Sequence, residues 1–64
     1  MIAVNGVAHD LAGRTVRELL GALSMNDRGV AVAIDGEVLS KSQWDTTRVD
    51  DGAIVEVVTA VAGG

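Results

Sequence analysis

Cysteine, proline, phenylalanine and tyrosine are all absent from this 64-residue chain, and Trp44 is its only aromatic residue. Without Cys, no disulfide can staple the fold, and thiol nucleophiles and thiolate metal ligands are excluded. With His9 as the only imidazole, a structural metal site is not expected. One aromatic side chain is also too little bulk to wall a deep substrate pocket. Basic residues are few: five Lys and Arg against nine Asp and Glu, a net charge of −4. Nucleic acid and anionic membrane surfaces are therefore not expected partners, since both need a basic face. A complementary, basic protein surface is the more natural target. No apolar run is long enough to span a bilayer. The opening Met1-Ile2-Ala3-Val4-Asn5-Gly6 has neither a basic n-region nor an apolar h-region, so no signal peptide is expected and the expected compartment is the cytoplasm.

What remains is globular in composition, 48% apolar and 22% charged, which excludes a disordered chain. One domain is expected, close to the lower size limit for independent folding. A core of this size supplies only about 3–5 kcal/mol of net stability.

Apolar periodicity divides the chain into short elements. Ile2-Ala3-Val4 and Val7 to Leu11 flank Asn5-Gly6, a pair that takes positive φ at both central positions of a tight hairpin turn. Thr15 and Glu18 have capping-box spacing. Behind them Val16, Leu19, Leu20 and Leu23 fall on one helical face, which predicts a helix over residues 16–23. Gly21 within it either lets the helix approach a sheet or is a tolerated surface residue. Val30-Ala31-Val32-Ala33-Ile34 reads as a buried strand, Asp35-Gly36 as a second hairpin turn, and Glu37-Val38-Leu39 as its short return strand. The polar stretch 40–48 reads as an irregular crossing with one short turn, Asp50-Asp51-Gly52 as a third turn, and 53–59 as the last strand.

The order is ββαβββ, an α+β arrangement in which one helix lies on one face of a mixed sheet of about five strands. In the last strand Val55 and Val57 are expected to face the helix. Ile54, Glu56 and Val58 then face away, and Ile54 and Val58 become a candidate docking patch on the uncovered face.

No catalytic constellation accompanies this frame. Ser24, Ser40 and Ser42 lack a base other than His9, which is read as a solvated strand residue. No phosphate-binding glycine loop and no metal-ligand cluster are present. Asp50 and Asp51 are turn residues, Lys41 and Arg48 are expected in solvent, and Trp44 is read as a packing anchor under its loop. The distinctive chemistry lies in Val61-Ala62-Gly63-Gly64. Gly lacks Cβ, so this thin, uncharged segment can be threaded into a narrow active site of another protein. Its terminal carboxylate, with a pKa of about 3.3–3.7, is ionised at neutral pH. It resists nucleophilic attack until activated, for instance as an acyl-adenylate.

Several segments together resemble the ThiS family of thiamine-biosynthesis sulfur carriers, small ubiquitin-like β-grasp proteins. They are the early Asn5-Gly6 hairpin, Thr15-Val16-x-Glu18-Leu19-Leu20, Val30 to Ile34 with Gly36-Glu37-Val38, Lys41-x-x-Trp44, Asp51-Gly52-Ala53-x-Val55-Glu56 and Val61 to Gly64. Ser40 departs from the Pro of many members, and Ala53 from a usual acidic or polar residue. The resemblance implies a β-grasp domain over residues 1–59 and a flexible Gly-Gly tail over 60–64. It implies a carrier rather than an enzyme, binding no cofactor itself. A ThiF-type adenylyltransferase would activate the Gly64 carboxylate with ATP and Mg²⁺. A sulfur donor protein would convert it to a thiocarboxylate, and thiazole synthase (ThiG) would take the sulfur. Gly63, Ala62 and Val61 would give access. Molybdopterin-synthase and cysteine-biosynthesis carriers share the tail but are usually longer. A ubiquitin-like interaction or conjugation module is the remaining alternative.

Overall fold

A computed structural model describes residues 1–25 and 28–59. Strands β1 (Ile2–Val4) and β2 (Val7–His9) precede helix α1 (Val16–Ala22). Strands β3 (Val30–Ile34) and β4 (Glu37–Leu39), a 3₁₀ turn (Lys41–Gln43) and strand β5 (Ile54–Thr59) follow. The sheet order is β2-β1-β5-β3-β4. β5 is central, parallel to β1 and antiparallel to β3, while the two hairpins form the flanks. This is the expected β-grasp arrangement.

Both hairpin turns follow from their residues. Asn5 and Gly6 have φ of 51° and 84°, Asp35 and Gly36 of 50° and 84°, the left-handed pair that matches the twist of the flanking strands. β2 ends at His9 rather than continuing to Leu11.

The helix is built as the capping-box spacing predicts. Glu18 N donates to Thr15 Oγ1 (3.1 Å), and Thr15 N donates to Glu18 Oε1 (2.9 Å). The remaining first-turn donors are satisfied by the 40–49 crossing: Val16 N donates to Thr47 O (3.0 Å) and Arg17 N to Trp44 O (3.1 Å). At the other end Met25 N donates to Leu20 O and Ser24 N to Gly21 O, with Ser24 at φ 55°, a Schellman closure using Ser where Gly is usual. Gly21 is exposed, and a Cβ there would meet nothing within 4 Å, so it is a surface glycine and not a contact to the sheet.

Val16, Leu19 and Leu20 pack on Ile2, Val4, Val32 and Val55 from the sheet. Leu23 and Val57 are half-buried at the margin of the same core. Two residues of the irregular stretch join it. Val49 is fully buried, and Trp44 retains only 1% of its exposure. Trp44 therefore belongs to the main core and not merely to its own loop. The Arg17 guanidinium and the Lys41 ammonium lie 5.5 and 5.8 Å from its ring centroid, so Lys41, though exposed, covers the indole rather than extending freely into water. Arg48 is exposed, as expected, and its Nη1 also donates to Gly13 O (2.8 Å).

Candidate functional site

Strand alternation and register fix what the uncovered face of the sheet carries. Cross-strand partners share a face. Val55 lies in the core, so Ile54, Glu56 and Val58 point to the opposite side, as expected from the sequence. Ala3 pairs with Ile54 and Ala8, Ala33 with Glu56 and Val38, and Ala31 with Val58. Ala3, Ala8, Ala31 and Ala33 thus form a low floor from which Ile54 and Val58, each 58% exposed, stand out. Val38 extends the apolar surface to the β4 edge. Glu56 is the one charged strand residue on this face among the described residues.

The arrangement suits a broad, shallow contact with another protein. The four alanines add little relief, so a flat partner surface can approach closely, and the exposed valines and isoleucine supply apolar area. β5 is also the strand from which the C-terminal segment continues, so the candidate docking residues and the root of that segment share one rigid element. The tail residues singled out by the sequence, Val61, Ala62, Gly63 and Gly64, lie outside the described residues.

The β1 side of β5 holds a feature that turn chemistry alone did not reveal. Beyond Asn5 N, which donates to Val55 O (3.0 Å), β1 offers no further strand backbone. The Asn5 carboxamide takes over: Nδ2 donates to Val57 O (3.0 Å), and Val57 N donates to Oδ1 (2.9 Å). The side chain completes one more rung of the sheet. In the turn between β3 and β4, Asp35 acts similarly at the start of β5, accepting from Ile54 N through Oδ1 (2.9 Å) and donating its own N–H to Ile54 O.

The possible catalytic groups are not brought together. His9 is on β2 and Ser40 follows β4, at opposite edges of the sheet and about 19 Å apart by strand spacing. The Ser40 hydroxyl bonds Ser42 and Gln43 in the 3₁₀ turn. Among the described residues no group of three or more His, Asp or Glu side chains could hold a metal ion. An open depression of about 330 Å³ lies near the Ile54 end of β5, floored by Ile34, Leu39 and Ala53 and rimmed by Asp35, Glu37, Asp50 and Arg48. It is at the opposite end of β5 from Thr59. No helix among the described residues is long and apolar enough to cross a membrane.

Two carboxylates are held below their usual range. Glu18 is lowered by the Thr15 backbone N–H and then by the Thr15 hydroxyl, with Arg48 and Arg14 adding to the effect. Asp51 is lowered by its contact with the Met1 ammonium, whose own pKa is raised by the same pairing. The first pairing is the cap of α1, and the second is an exposed ion pair beside the Asp50-Asp51-Gly52 turn.

Comparison with known proteins gives a consistent picture. The ThiS family model matches residues 2–64. The chain is 38% identical over 53 residues to the sulfur carrier protein ThiS of Escherichia coli (strain K12), covering 83% of this chain and 80% of that one. It is 36% identical over 64 residues to a thiazole synthase of Paramagnetospirillum magneticum, covering 98% of this chain but only 20% of that protein. The crystal structure of the thiamine biosynthesis protein ThiS from Geobacter metallireducens superimposes with a TM-score of 0.82 at 39% identity, covering 98% of this chain and 97% of that one.

Proposed function

The chain belongs to the ThiS family, and from that premise we propose that it carries sulfur for thiazole formation in thiamine biosynthesis on the acyl group of Gly64. The observation that carries this reading is the family match, which runs to Gly64. The folded body is a handle, and residues 60–64 are the tail that enters the active sites of other proteins.

The chemistry follows from the group. A carboxylate oxygen of Gly64 attacks the α-phosphorus of ATP on a ThiF-type adenylating enzyme, with Mg²⁺ neutralising the phosphates and pyrophosphate leaving. Sulfur at the oxidation level of sulfide, delivered by a donor protein, then displaces AMP at the acyl carbon and leaves a thiocarboxylate. The two glycines place no side chain around that carbon, which suits attack in a confined site. The carrier contributes no acid, base or cofactor, and its work takes place in the cytoplasm.

Thiazole synthase is the acceptor in this reading. Its support is the thiazole synthase that contains, within a longer chain, a segment alignable with nearly all of this one. Ile54 and Val58 dock the proteins that act on the tail, the adenylating enzyme among them, with Glu56 between them facing a cationic side chain and the alanine floor on either side of β5. Incubation with the adenylating enzyme, ATP, Mg²⁺ and a sulfur donor tests the reading. The expected product has one oxygen replaced by sulfur in its intact mass. Full turnover of ATP without any such species contradicts it.

A further inference from the structure

The geometry points to Asn5 as a positioning residue for the carrier reaction: its carboxamide clamps Val57 and thereby aims the root of the C-terminal segment. The inference rests on the carrier reading above. Its basis is the pair of hydrogen bonds between the Asn5 side chain and both backbone groups of Val57, 2.9 and 3.0 Å long.

The clamp sits on the last rung before the sheet thins to two strands. β4 pairs with β3 only at Val32, Ala33 and Ile34, so Val30 and Ala31 have no outer strand. β1 reaches β5 only at Ile54 and Val55. The last rungs, Ala31 with Val58 and Val30 with Thr59, would therefore be a bare two-stranded ribbon. Such ribbons twist more than wider sheets and are marginal on their own. Val57 pairs with Val32 and Val32 with Leu39, so Asn5 adds a fourth member to that rung, on the otherwise open β1 side of β5, without lengthening β1. It also occupies the edge groups of Val57, which would otherwise be open to a foreign strand.

The place of Val57 on β5 makes this consequential. Ile54 and Val58 stand on the same strand, so a β5 end that frays or twists at Val57 changes where the chain leaves the sheet relative to the candidate docking residues. A loosened root lowers the fraction of carriers presented correctly. The apparent affinity then falls by that fraction, while the step after capture is unchanged.

Asn5→Gly separates the clamp from the turn, because Gly accepts φ near 51° and removes only the carboxamide. Asn5→Asp keeps the acceptor for Val57 N–H and removes the donor to Val57 O. Amide exchange of Val57 is measured relative to β3 amides, which cancels any change in global stability. Two neutral hydrogen bonds predict relative exchange faster by on the order of 10-fold for Asn5→Gly. With the ThiF-type enzyme, ATP, Mg²⁺ and a sulfur donor, Asn5→Gly raises KM for the carrier several-fold at unchanged kcat, while Asn5→Asp, which keeps the bond to Val57 N–H, leaves Val57 protected and raises KM less. Unchanged Val57 protection overturns the clamp. A deprotected Val57 with unchanged KM overturns its role in aiming. A wild-type chain that accepts no sulfur at all overturns the carrier reading instead, so the two failures are distinguishable.

Discussion

Replacing Val58 by Thr tests the uncovered sheet face with a change of one atom type and almost no change of shape. Both residues are β-branched, so strand propensity is conserved. Val58 is 58% exposed, so the folded domain gains or loses little, within about 0.5 kcal/mol. Docking is different. If a partner covers the exposed part of the side chain, about 90 Å² of apolar area leaves water, a contribution of about 2 kcal/mol. Thr forfeits one methyl of that and brings a hydroxyl that loses its water, a cost of about 1–3 kcal/mol if it finds no partner. The expected result is a KM for thiocarboxylate formation raised by about 5- to 150-fold, read by intact-protein mass spectrometry against carrier concentration. Val7 provides the control. It is 57% exposed, equal within a percent, but pairs with buried Val4 and so lies on the helix side of the sheet. Val7→Thr should leave KM unchanged. Equal effects of the two substitutions, or none from Val58→Thr, would refute docking through the open face.

Three further outcomes concern the scaffold that holds this face. Leu19→Ala, at a fully buried position, should cost about 2–5 kcal/mol in urea unfolding followed by circular dichroism; that is comparable to the about 3–5 kcal/mol that a core of this size supplies, and a stable variant would contradict the helix–sheet packing. Gly21→Ala should raise stability by about 0.5–1 kcal/mol, since the added methyl meets nothing and the helix gains propensity; destabilisation would reveal a hidden contact. Stability against pH should show a plateau between about pH 5 and 8. The depressed carboxyls of Glu18 and Asp51 contribute above their unfolded values, and that contribution is lost as pH falls through the folded ones. The raised Met1 amine contributes below its unfolded value and loses that contribution as pH rises through the folded one. Glu18→Gln, which can retain the cap, should flatten the acid limb only, whereas Asp51→Asn should flatten both limbs; unaltered limbs would count against these pairings.

Element type was legible because the local signals agreed with the global fold. Asn5-Gly6 and Asp35-Gly36 both closed hairpins, Thr15 and Glu18 both capped the helix, and alternation in β5 correctly divided Val55 from Ile54 and Val58. The sequence was weakest where structure depends on non-local stitching. Val49 falls between the polar stretch 40–48 and the turn at Asp50 with no periodic pattern to mark it, yet backbone bonds of the crossing to Gly13 and Arg14 draw it into the core. Arg48 carries no local sign that its guanidinium reaches Gly13. Asn5 was legible as a turn former, but its second role requires knowing that β5 lies beside β1, 52 residues away at Val57. Val30 to Ile34 read as a buried strand, yet only Val32 is buried, because one face of the sheet has no covering layer and Ala31 and Ala33 lie on it.

The central claim is that sulfur resides on the terminal acyl group of the chain while the folded body remains intact. The most direct measurement is fragmentation of the sulfur-loaded protein in the mass spectrometer, run beside a chain extended by one residue after Gly64. The account predicts that the oxygen-to-sulfur mass change maps to Gly64, and that the extended chain folds normally but acquires no sulfur. Sulfur mapped elsewhere, or loading of the extended chain at the same rate, would contradict it.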